Sequence, residues 1–220
     1  LTIKRSDGTY IETMNLQDVA DEGLGFNVLL DQKTNVTGVY DVINDWTTFT
    51  TPYPAHADMK VVLGGDFTAK EATVLTPTVP SSTELRLLGD YSAGEVIIGR
   101  PYTFSFQFSP VIFKDEKKIS VVHYKIKLKN FEILYDAAGY FRVEVSPDAR
   151  GTYYYPYTGL TLGASNVVVG ERPLSTGKFR FPVMGESTKS TVKLINDSIF
   201  PSTFQAAEWE GTLSTDSKHL

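Results

Sequence analysis

The sequence predicts an all-β protein built of antiparallel sheets. Clusters of Gly, Pro, Asn, Asp, Ser and Thr recur roughly every eight to twelve residues, and the short stretches between them are rich in Val, Ile, Thr, Phe and Tyr. Several of those stretches alternate polar and apolar residues with period two, which turns one side of a strand to a core and the other to water. Helical pattern is thin: only Leu16-Gln-Asp-Val-Ala-Asp-Glu22 offers a turn or two before Gly23 stops it.

Taken in order, Ile3-Lys-Arg-Ser-Asp-Gly-Thr-Tyr-Ile-Glu-Thr13 predicts a hairpin, because Asp-Gly accepts the positive φ of a tight turn. The stretch from Tyr53 to Ser82 is Pro-rich, and Thr76-Pro-Thr-Val-Pro-Ser-Ser82 is the best linker or long loop in it. A domain boundary is expected between about residues 80 and 95. It separates a smaller β region, 1–90, from a sandwich-like or barrel-like domain, 91–220; the first region admits a propeller blade, though no repeat of fixed period is visible. In Gly99-Arg-Pro-Tyr-Thr-Phe-Ser-Phe-Gln-Phe-Ser-Pro110, period two puts Tyr102, Phe104, Phe106 and Phe108 on one face, expected to lie in a sandwich core.

The sharpest pattern is His123-Tyr-Lys-Ile-Lys-Leu-Lys129, with Lys125, Lys127 and Lys129 on a wet face and Tyr124, Ile126 and Leu128 on a buried one. Past Asn130 the parity reverses to Phe131, Ile133 and Tyr135, which calls for a β-bulge near Lys129-Asn130 or a change of partner sheet. Asp136-Ala-Ala-Gly139 turns the chain, and Phe141, Val143 and Val145 return inward in what is expected to be an antiparallel hairpin. Further strands are expected at Tyr153–Tyr157, Val167–Val169, Lys178–Pro182, Val192–Asn196 and Thr203–Glu210.

Composition removes several classes of chemistry. With 220 residues the chain can bury one or two real cores. It has no cysteine, so disulfides, thiolate metal sites and cysteine nucleophiles are excluded, and His56, His123 and His219 lack zinc spacing. No run of about 18 apolar residues is present for a spanning helix. The chain starts at Leu1, without Met, inside an expected strand, as a fragment or processed product would. Residues 1–95 carry 6 basic and 14 acidic groups, whereas residues 96–220 carry 15 and 12, which suggests two units in different surroundings.

Each candidate site has a plainer competitor. Glu208 and Glu210 flank Trp209 at a spacing of about 6.5–7 Å, within the range of an inverting glycosidase. Strand alternation points Trp209 away from both, so two solvent-facing glutamates beside a buried Trp is the better reading. The tyrosines of Tyr153-Tyr-Tyr-Pro-Tyr157 suit a core or subunit interface first, then a glycan, then nucleic acid. The lysine row could meet DNA phosphate, but lysines also guard strand edges. Asn35-Val-Thr and Asn196-Asp-Ser match the glycosylation acceptor pattern, a frequent chance match, and Asp18-Val-Ala-Asp-Glu22 lacks calcium-loop spacing. No Gly-rich phosphate loop, Gly-x-Ser-x-Gly elbow or His-Glu-x-x-His is present. The residues themselves therefore offer no catalytic, cofactor-binding or metal-binding set.

A family resemblance supplies what the residues do not. Gly99-x-Pro-Tyr-x-Phe-x-Phe-x-Phe-Ser-Pro110, Lys129-Asn-Phe-x-Ile133 running into Gly139-Tyr-Phe-x-Val-x-Val145, Leu174-Ser-Thr-Gly-Lys-Phe-Arg-Phe-Pro-Val183, Leu194-Ile-Asn-Asp-Ser198 and Glu208-Trp-Glu-Gly211 occur in this order. Together they resemble the C-terminal part of the tail tubular protein B, or nozzle, family of short-tailed bacteriophages, over roughly residues 95–220. Tyr10-Ile-Glu-Thr-Met14, Leu29-Leu-Asp31 and Thr47-x-Phe-Thr-Thr-Pro-Tyr53 match less closely, like the end of a propeller-like body. The resemblance implies a non-enzymatic virion component in the phage tail, a homo-hexameric DNA exit conduit when full-length. Its implied partners are further copies, a tail adaptor protein and tail fibres, with DNA passing unread through the lumen and no cofactor. The alternative is a tail-associated glycan-binding or glycan-hydrolysing module using Glu208, Glu210 and Tyr153–Tyr157.

Overall fold

The structure is a computed structural model that describes residues 2–5, 8–11, 20–21, 23–67, 72–113, 124–159 and 174–215. Its contacts divide the chain into one unit built on Leu1–Tyr102 and another on Thr103–Val167 and Pro173–Leu220. Every strand pairing among the described residues is antiparallel. The helical turn expected at residues 16–22 and the strand at 167–169 lie outside the described residues, apart from Ala20 and Asp21.

In the first unit, β1 (Thr2–Arg5) and β2 (Gly8–Ile11) form the expected hairpin, with Arg5 opposite Gly8. Eight strands follow: β3 (Asp31–Thr37), β4 (Val39–Asp41), β5 (Trp46–Thr50), β6 (Lys60–Leu63), β7 (Val74–Leu75), β8 (Thr78–Ser81), β9 (Glu84–Leu88) and β10 (Glu95–Arg100). They form two four-stranded sheets, β3-β10-β6-β7 and β4-β5-β9-β8, neither in simple consecutive order. One buried cluster draws on both sheets, with Phe49 from β5, Val61 and Leu63 from β6, Leu85 from β9, and Val96 and Ile98 from β10. Between β3 and β4, a Cβ on Gly38 would stand 2.2 Å from Thr47 Cγ2 and 2.6 Å from Phe49 Cε1. No larger residue fits there without moving the core.

Thr76–Ser82 is not a linker. Residues Thr78–Ser81 form β8, which pairs with β9 at Thr78–Arg86 and Ser81–Glu84. Pro80 is tolerated because β8 is an edge strand, where a missing N–H leaves no inner ladder bond unmade. Beyond that segment, β10 bonds to both β3 and β6 and so belongs to the first unit.

The second unit contains β11 (Phe104–Gln107), β12 (Tyr124–Ala138), β13 (Phe141–Ser146), β14 (Tyr153–Tyr157), β15 (Ser175–Glu186), β16 (Thr191–Asn196) and β17 (Thr203–Thr215). The sheets are β11-β16-β13-β14 and β15-β12-β17, and a single core cluster takes residues from both, the arrangement of a sandwich. Lys125, Lys127 and Lys129 are exposed, whereas Ile126, Leu128, Phe131, Ile133 and Tyr135 are buried. The parity reversal is a bulge: β12 slips register between Leu128 and Asn130 against both neighbours.

The expected hairpin after Gly139 does not form. Strand β12 pairs with β15 and β17, while β13 pairs with β14 and β16, so the turn carries the chain from one sheet to the other. Both connections send Phe141, Val143 and Val145 into the core, so alternation alone does not tell them apart. Around Phe141, fully buried, ring centroids of Tyr157, Phe204, Tyr135 and Phe179 lie 4.7–5.4 Å away. Replacing Phe141 with Ala should cost about 3–5 kcal/mol, as expected for a large core ring. Urea unfolding in a Trp46→Phe background, where Trp209 reports on the second unit, measures this; a loss below about 1 kcal/mol would show that the core does not rest on Phe141.

Candidate assembly surface

The four edge strands of the second unit are β11 and β14 in one sheet and β15 and β17 in the other. Edge strands present unpaired backbone groups, and proteins that stay monomeric usually guard them with charge or Pro. Here each edge carries exposed apolar side chains: Phe104 and Phe106 on β11, Tyr153 and Tyr154 on β14, Met184 on β15, and Trp209 and Leu213 on β17. Their exposures run from 42% at Phe104 to 62% at Tyr154.

This overturns the burial expected for the aromatic row. Tyr102, Phe104 and Phe106 are 42–50% exposed. Phe104 stacks on Phe204, and Phe106 meets Phe108 edge-on at 5.1 Å. Only Phe108 reaches the core, 5.2 Å from Phe131. Period two establishes that rings share a face, and says nothing of whether anything covers it. On β14 the tyrosines divide: Tyr155 stacks on Phe181 and Tyr157 on Phe141, while Tyr153 and Tyr154 remain exposed.

Of the glutamate pair, Glu210 is held in an ion pair and Glu208 lies beside another. Arg180 Nη2 donates to Glu210 Oε2, which also accepts from Asn130 Nδ2 at 3.2 Å. Glu208 stands opposite Glu132 in register, a like-charge pairing that Lys178 relieves through its 2.9 Å bridge to Glu132. Lys178 is accordingly held above its ordinary pKa, first by that hydrogen bond and then by the charges of Glu132 and Glu208. The depression beside these groups measures about 190 Å³, below the roughly 300–1,000 Å³ of ordinary ligand pockets. Trp209 stands opposite buried Phe131 but is 46% exposed, because β17 is an edge; the buried Trp expected from alternation is not found.

The lysine row occupies the centre of its sheet, not an edge, so edge protection does not explain it. Lys127 stands opposite Glu186. Of the two glycosylation motifs, Asn196 is 3% exposed and its Nδ2 donates to Phe200 O and Ser202 Oγ, so it is no acceptor. Asn35 is exposed, with Nδ2 bonded to Glu95 Oε2. His123 and His219 lie outside the described residues, among which no three His, Cys, Asp or Glu side chains are grouped to hold a metal. No helix among the described residues is long and apolar enough to cross a membrane.

The second unit is an all-β scaffold whose edge strands expose large apolar side chains between charged ones, a surface suited to contact with other chains. The whole chain, residues 1–220, matches the family model described as bacteriophage nozzle protein, and the chain belongs to that family of phage tail components. It is also 28% identical over 206 residues to the tail tubular protein gp12 of Escherichia phage T7, a match covering 86% of this chain and 25% of that protein. The chain thus spans about a quarter of the length of this curated relative.

Tyr157 gives the surface a pH signature. Burial pushes its phenol up to about 12, with help from Tyr135 and opposition from the Ser175 hydroxyl. The folded state therefore favours the neutral phenol relative to the ordinary value of 10.0. That contribution to stability is fully present below the unfolded pKa, and disappears as pH rises through about 12. Tyr157→Phe should make stability less sensitive to pH across this window in parallel urea titrations; an unchanged alkaline decline would reject the assignment.

Proposed function

We propose that this chain is part of a tail nozzle of a short-tailed phage, where copies assemble into the wall of a DNA exit conduit. The observation that carries the reading is the set of apolar edges on the second unit. Burying the exposed half of one such ring at a subunit contact contributes on the order of 1 kcal/mol, so several rings per contact give useful affinity. Family membership supports a tail location. A tail adaptor protein and fibres are further proposed neighbours of the assembled ring.

Phe106→Ser, Tyr154→Ser and Leu213→Ser, combined in the full-length phage protein, should leave the β signature in circular dichroism intact and reduce the oligomer seen by native mass spectrometry. Undiminished oligomer would remove these edges from the interface. The acidic residues 1–95 are proposed to flank the conduit, where like charge keeps phosphate from adhering. Neutralising exposed carboxylates there, such as Asp45 and Asp58, should slow DNA release from assembled particles; an unchanged ejection rate across several such variants would sink the idea.

A further inference from the structure

The hairpin that joins β4 to β5 in the first unit ends in two adjacent apolar residues, Val42 and Ile43, which are 78% and 93% exposed. Thr47 and Phe49 turn to the core, so register puts Val39, Trp46 and Leu88, also exposed, together on the outer face of the same sheet. The tip itself is fixed. Asp41 Oδ1 accepts from the backbone N–H groups of Ile43 and Asn44 at 2.9 and 3.3 Å, its Oδ2 accepts from Asn44 Nδ2 at 2.6 Å, and the Gly89 N–H donates to Asp45 O at 2.8 Å. An apolar pair presented on a turn already ordered loses little freedom when a partner buries it.

This end of the hairpin is acidic. The Tyr40 hydroxyl donates to Asp45 Oδ1 at 2.7 Å, and its pKa is raised first by that bond and also by the charges of Asp45, Asp90 and Asp41, so all three carboxylates act at one place. Arg86, on the same outer face, is occupied by Glu84 at 3.6 Å and lies 5.5 Å over the Trp46 ring. The second unit offers the complement, a depression of about 460 Å³ where Lys127, Lys129, Arg150 and Lys189 outnumber Asp148 and Glu186. Lys189 is paired with Glu186 at 3.4 Å, whereas Lys127, Lys129 and Arg150 form no ion pair among the described residues. Buried Leu128 and Pro147 and the 60% exposed Met184 supply apolar lining. Met184 is left-handed, with φ 50°, beside the bulge where β12 and β15 slip register, and its unbranched thioether adapts to an irregular guest.

We propose that the Val42-Ile43 tip of one copy seats in this depression on the next copy, apolar against apolar and carboxylates against lysine and arginine. Tip against tip would bring like charges together, which charge complementarity disfavours. Tip and depression are different surfaces, so the contact is heterologous and repeats from copy to copy, as a ring requires. The inference rests on the assembly reading and gives it a direction.

Cysteine cross-linking tests this in the full-length phage protein, with any cysteine elsewhere replaced by serine; these 220 residues contain none. Ile43→Cys and Met184→Cys in one polypeptide, mildly oxidised, should give a reducible ladder of dimers and larger species on a denaturing gel, while each single variant stays monomeric there. Adding Lys129→Glu and Arg150→Glu should cut the cross-linked fraction at least about fivefold with the β signature in circular dichroism intact. If Met184→Cys does not fold, Lys189→Cys takes its place. Native mass spectrometry of the parent separates the two readings: an oligomeric parent whose double-cysteine variant gives no ladder overturns the tip contact alone, and a monomeric parent overturns assembly with it. A dimer from either single variant, or a cross-link formed within one polypeptide without a gain in mass, also overturns the proposal.

Discussion

Strand β12 sets the constraint from which the second unit follows. Hydrogen-bonded on one side to β15 and on the other to β17, it has no free edge along most of its fifteen residues. Its inward face must therefore match the core over a length greater than an average strand, and regular alternation meets that demand only with a correction. The bulge at Lys129 supplies it, allowing Ile126 and Leu128 on one side and Phe131, Ile133 and Tyr135 on the other to serve the same core. The two outer strands inherit their registers from β12, which leaves Trp209 opposite Phe131 and Glu208 opposite Glu132.

The turn after β12 gives that strand its opposing layer. By moving β13 into the other sheet, it places Phe141 across from Tyr135 and Phe179, where their rings interlock. A hairpin would have put β12 and β13 side by side and left the inward faces of both without cover. With two layers, the core closes centrally while the rings nearest the four edges stay partly open. The interior and the candidate contact surface are thus continuous: exposed Phe106 meets Phe108, which packs on buried Phe131.

Much of this was legible in sequence because strand alternation is local. The lysine row, the inward Phe141, Val143 and Val145, and the reversal near Asn130 all follow from residues adjacent in the chain. Neighbours across a sheet are not local, so the sheet change at Gly139 and the central position of the lysine-bearing strand were out of reach. Exposure of Phe104, Phe106 and Trp209 has the same origin, since alternation says which residues share a face and not where a sheet ends. Pro80 misled for a different reason: it is incompatible with an inner strand, and an edge strand satisfies that rule as well as a loop does.

The pairing of β12 with β17 joins residues far apart in the chain, Tyr124 with Thr215 at one end and Asp136 with Thr203 at the other. During translation, the ribosome must complete nearly all of this segment before β12 acquires its second neighbour. Until then, the growing polypeptide holds a central strand with one side bare, a species prone to pair with strangers. Closure of this sandwich is consequently a late event in the synthesis of the segment, because β12 becomes a central strand only once β17 has arrived.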